Sequence, residues 1–156
     1  MIRVVLTVLV AVALLATSMP ALEDARTATT AERLGAESER VERAIGGLVS
    51  DSMSVTDPSL AARTTVTVRA PSGLTAARIN RLALIEPEQS ENASGAALRY
   101  RLDGGRDRAI PIVPDAVAAT VVIVDEPIAL RTRGESRLEI RLVDDGGPTV
   151  KIARIG

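Results

Sequence analysis

The side chains that could do chemistry in this sequence are carboxylates, hydroxyls, arginines and one lysine. The chain contains no His and no Cys. A Ser-His-Asp triad, a thiol nucleophile and a zinc site of the usual ligands are therefore excluded. Neither a P-loop nor a G-x-G-x-x-G turn occurs. A Ser-Lys dyad would have to use Lys151, the only lysine, which falls in a predicted strand close to arginines and reads as part of a solvated face. Two acidic turn clusters, Asp103/Asp107 and Asp144/Asp145, carry oxygen ligands of the kind that hold a hard cation. Asp-Gly-Gly is more commonly a turn, because these residues accept positive φ. Paired carboxylates for glycoside hydrolysis are not marked by any motif, and Tyr100, the only aromatic, cannot line a sugar cleft. These residues predict no catalytic site, no cofactor, no metal and no small-molecule substrate.

The chain is one domain's length at 156 residues, with 19 basic and 20 acidic side chains. Charge so near balance, with no basic stripe and a single aromatic, argues against nucleic-acid binding. Of the residues, 46% are apolar, enough to fold, but they are unevenly spread.

The strongest signal is Val4 to Leu22, 19 residues without a charge. Val4, Val5, Leu6, Val8, Leu9, Val10, Val12, Leu14 and Leu15 make this run a membrane anchor, 1–22. At about 1.5 Å per residue it reaches roughly 28 Å, close to the thickness of a bilayer's hydrocarbon core. Nine branched aliphatics favour insertion by roughly 3 to 5 kcal/mol. A signal peptide ending at the small-x-small sequence Ala16-Thr17-Ser18 is the competing reading. Retention is favoured because helical character continues beyond the run, with Pro20 as a kink or first-turn residue. Arg3 before the run and Glu23 and Asp24 after it place the N-terminus in the cytoplasm and the rest outside.

Residues 23–48 read as a charged juxtamembrane helix with one narrow apolar stripe, Leu34, Val41, Ile45 and Leu48, loosened or ended by Gly46 and Gly47. The stripe needs a partner, either the chain's own C-terminal sheet or the helix of a neighbouring subunit. Residues 49–62 read as a linker, and at 63–156 the hydrophobic period changes from 3.6 to 2. Thr64 to Ala70, Leu98 to Leu102, Ala109 to Val113, Ser136 to Val143 and Thr149 to Ile155 are predicted strands. Asp103 to Arg106 and Asp144 to Gly147 are their hairpin turns. Thr75 to Ile85 reads either as a bulged strand or as a short helix leading into one. Ala119 to Val124, β-branched and uncharged, is the best candidate for a central strand. The predicted class is α+β, a long N-terminal helix followed by a small antiparallel sheet or sandwich of six or seven strands. In the polar loop 86–95, Asn92-Ala93-Ser94 matches the N-x-Ser pattern and makes Asn92 a candidate for glycosylation.

The order of an aliphatic run, Pro20, a charged helix to about Gly46 and a β-rich domain resembles the type IV pilin-like proteins. The stretches MIRVVLTVLVAVALLATSMPALEDAR and VTVRAPSGLTAARINRLAL look like an uncharacterised haloarchaeal branch of them. That resemblance implies a non-enzymatic, single-pass membrane protein with an extracellular β-domain. It would serve a type IV pilus or secretion system and meet other envelope or pilus-type subunits through the helix stripe. A secreted or surface binding module released by signal peptidase is the second reading. A carboxylate-based hydrolase is the third, and it requires acidic side chains clustered in a deep cleft.

Overall fold

The computed structural model describes residues 2–87, 95–112 and 119–156. Its class is α+β: among the described residues one helix, α1 (Ile2–Asp51), is followed by eight strands. These are β1 (Ala62–Ala70), β2 (Ile79–Ile85), β3 (Ala96–Leu102), β4 (Asp107–Ile112), β5 (Thr120–Ile123), β6 (Ile128–Ala129), β7 (Gly134–Asp144) and β8 (Pro148–Arg154). They form two four-stranded sheets, in the orders β1-β7-β8-β5 and β4-β3-β2-β6.

The alternation in the strands sets the packing. In β7, Leu138, Ile140 and Leu142 are buried, while the intervening Arg137 is exposed and Glu139 and Arg141 pair with each other. Val66 and Val68 of β1 and Val150 and Ile152 of β8 join them from neighbouring strands. Leu82, Leu84, Leu98, Tyr100 and Ile112 of the second sheet enter the same core cluster, so one core lies between the sheets. The tight turns fall where the sequence puts them. Gly104 and Gly146 sit at φ +68° and +77°, a region that costs most side chains energy.

Several elements depart from the sequence reading. Gly46 and Gly47 do not end the helix, which continues to Asp51. Ile45 and Leu48 are buried on either side of the pair, and that burial outweighs a helix cost of about 1 kcal/mol per Gly. Pro20 also lies inside the helix, so no break separates 1–22 from 23–48. The linker is correspondingly shorter, from Ser52 to the start of β1 at Ala62. β2 takes the bulged form, with a register shift between Ile79 and Arg81 against β3.

β5 is an edge strand and not a central one, and it pairs with β8 in parallel. Only Val121 and Ile123 face the core, so its uncharged run does not signify burial on both faces. The chain reaches β5 from the second sheet and returns to that sheet at β6, leaving β5 as a short excursion beside β8.

Candidate functional site

The most distinctive feature is the change of environment along α1. From Ile2 through Ala25 every residue is exposed, including the nine aliphatics of the apolar run. Five residues later the helix enters the β-domain, where Thr30, Leu34, Glu37, Ser38, Val41, Ile45 and Leu48 are buried. Leu34 and Ile45 are fully enclosed.

The buried face closes the seam of the sandwich. α1 packs mainly on β1 and β4, which are edge strands of the two sheets on the same side. The stripe is thus taken up by the chain's own strands. It is not available for a neighbouring subunit's helix, because the four side chains already fill the core.

The sequence reading missed three residues of this face, Thr30, Glu37 and Ser38, because they are polar. Their spacing would have revealed them: Thr30 lies four before Leu34, and Glu37 lies four before Val41. Each is satisfied. The Thr30 hydroxyl accepts the Ala77 amide at 2.8 Å and donates to the Arg26 carbonyl at 2.8 Å. Ser38 donates to the Gly35 carbonyl. The Glu37 carboxylate accepts the Arg69 amide at 3.0 Å and both oxygens accept from Arg40 Nη1. An edge strand exposes unpaired amides, and Glu37 caps one on β1. Glu86 does the same at the other edge of that sheet, accepting the Ile123 amide of β5 at 2.8 Å.

The acidic turn residues are engaged within their own hairpins, except Asp103, which is held from β2. Asp103 Oδ1 accepts from Asn80, Asp107 pairs with Arg101 through both oxygens, Asp144 accepts the Gly147 amide, and Asp145 pairs with Lys151 at 3.0 Å. The hydrogen bond from Arg101 holds the Asp107 carboxyl below its ordinary pKa, and Arg81 and Arg99 add to the effect. Ser59, through its side chain and its amide, lowers Asp57 in the same way. Among the described residues no three acidic side chains converge on a point where a cation could sit. Asn92 lies outside the described residues.

One open cleft of about 520 Å³ lies where α1 leaves the β-domain, lined by Glu23, Asp24, Arg26, Thr27, Ala77, Asp103 and Gly104. It sets the β3–β4 turn beside the helix just past the apolar run.

A family model described as a domain of unknown function, DUF7311, matches residues 1–155. The chain belongs to this family. The DUF7311 match spans the apolar run, the buried half of α1 and both sheets, so helix and β-domain are parts of one unit. No curated protein and no solved structure matches the chain. Within the DUF7311 unit, α1 is long and apolar enough to cross a membrane, by length and composition.

Proposed function

We propose that this DUF7311 chain is a non-enzymatic, single-pass membrane protein of pilin-like layout, whose helix holds an extracytoplasmic β-domain against other envelope or pilus components. The observation that supports this reading is the division of α1, apolar and exposed on all sides from Val4 to Leu22, then embedded in the sandwich from Thr30 to Leu48. A soluble protein rarely leaves so large an apolar surface in water, and lipid covers it naturally. Because the helix is continuous, the anchor and the domain are coupled without a hinge, as a scaffold requires. A cytoplasmic N-terminus rests on Arg3 and the terminal amine directly before the run, the first basic residue after it being Arg26, four positions beyond Leu22. Contacts to other subunits fall to the exterior of the sheets and to the exposed side of α1, since the apolar stripe is used internally.

The test is the intact mass of the native protein together with membrane fractionation and protease treatment of whole cells. Retention of the apolar run in a membrane fraction resistant to alkaline wash, with the β-domain cut from outside, is the expected result. A soluble mature chain beginning near Met19 would overturn the anchor in favour of a secreted binding module.

A further inference from the structure

The connections between strands are sorted by charge. The end of the β-domain beside the anchor carries 71–78, 103–106 and 130–133. Ala77 is tied to Thr30, Asp103 and Gly104 line the cleft with Glu23 to Thr27, and Thr132 and Arg133 line a second hollow with Pro71 and Ala77. These three segments hold Arg78, Arg106, Arg131 and Arg133, all exposed, and a single acid, Asp103. The connections at the other end carry Asp57, Glu86, Glu126 and Asp145, and no basic residue among the described ones. That end is fixed by two contacts: Val55 bridges to Val143 beside the β7–β8 turn, and the Glu86 amide donates to Glu126.

An apolar side chain accompanies the basic rim. Leu74 is 89% exposed at the tip of 71–78. Met53 and Leu60 are exposed as well, but they lie at the acidic end. Only the anchor side combines arginines with a projecting Leu among the described residues.

Position decides what this rim meets. Glu23 to Thr27, which flank it, begin one residue after the apolar run and rise only about 6 Å along the helix. An arginine side chain reaches that far. We infer that the rim of Arg78, Arg106, Arg131 and Arg133 docks on the anionic lipid headgroups around the anchor, with Leu74 entering the interface. Guanidinium groups pair with headgroup phosphates, and an outer leaflet that carries anionic lipid concentrates basic segments within a Debye length of about 10 Å. Glu23, Asp24 and Asp103 lie in the cleft between helix and rim and reduce this attraction without cancelling it. The docked domain stands with its acidic connections pointing away from the membrane.

This inference rests on the anchor reading, and the test separates the two. The chain has no Cys, so Ser72→Cys provides one labelling site on the rim and Met53→Cys one at the far end. The full chain, carrying a fluorophore at either position, is reconstituted into vesicles of phosphatidylcholine alone or with phosphatidylglycerol. Nitroxide carried on the lipid headgroup serves as quencher. Flotation with both vesicle types reports the anchor. At Ser72→Cys, quenching is expected to rise several-fold with phosphatidylglycerol and to fall back in high salt. The same loss is expected when the four arginines become Gln, whereas their replacement by Lys retains quenching. Met53→Cys stays unquenched throughout. Flotation with equal quenching in neutral and anionic vesicles overturns the docking and leaves the anchor standing. Failure to float overturns both.

Discussion

The Glu37 carboxylate of α1 accepts the backbone amide of Arg69 in β1 at 3.0 Å, joining positions 32 residues apart at the helix-covered edge of a sheet. This contact does what a further strand would do, since it occupies an amide that would otherwise face the helix unpaired. Arg40 completes the arrangement by donating at 2.8 Å and 3.0 Å to the two oxygens. Glu37→Ala should destabilise the β-domain by about 1 to 3 kcal/mol, the cost of leaving a buried amide without a partner. Glu37→Gln should recover part of the loss, because its amide oxygen still accepts. Chemical denaturation in detergent, followed by circular dichroism, measures both.

The two halves of α1 should respond oppositely to truncation. Ile45→Ala removes a fully enclosed side chain and should cost about 2 to 5 kcal/mol in the same denaturation experiment. Leu9→Ala should leave the domain's stability unchanged, since Leu9 touches no part of the β-domain core. Leu9→Arg should instead weaken insertion by about 3 to 4 kcal/mol, read as a shift from the membrane to the soluble or aggregated fraction.

The glycine pair inside the helix offers a stabilising change. A Cβ at Gly47 would meet no atom within 4 Å, and the position is helical and exposed. Gly47→Ala should therefore raise stability by about 0.5 to 1 kcal/mol, by reducing the freedom lost on folding. Gly104→Ala should do the reverse by about 1 kcal/mol, because its φ of +68° strains any Cβ whatever the space around it.

Acid should loosen the β3–β4 hairpin late. The Asp107 carboxyl, hydrogen-bonded by Arg101, titrates below its ordinary value of 3.8 in the folded chain. A carboxyl with a depressed folded pKa adds stability above its unfolded value and loses it as pH falls through the folded one. The pair should therefore contribute a constant amount from neutral pH down to about 5, and should fail only below about pH 4. Carboxyl titration by NMR, comparing the parent with Arg101→Gln, should show the Asp107 midpoint rising in the variant.

How much of this was legible in the sequence depends on range. Val4 to Leu22 stands out as a helix long and apolar enough to cross a membrane because uninterrupted apolar length is a local property. The hairpin turns at Asp103 to Arg106 and Asp144 to Gly147 are equally local, since Gly at positive φ decides them. The alternation of Leu138, Ile140 and Leu142 fixed which face of β7 turns inward. What sequence could not supply was the partner of each face. Leu34, Val41, Ile45 and Leu48 announce a buried stripe, but only the closed seam between β1 and β4 decided that the chain itself buries it. Thr30 and Glu37 look like solvent residues until two amides, from Ala77 and Arg69, are brought to them by strands far along the chain. Ala119 to Val124 misleads for the same reason, because β-branched composition reports a pleated surface and not whether a strand has one neighbour or two. Local pattern determined the elements and their inward sides. Tertiary structure decided which edges met, since hydrogen bonds between strands and burial against the helix depend on residues that the chain brings together only when it folds.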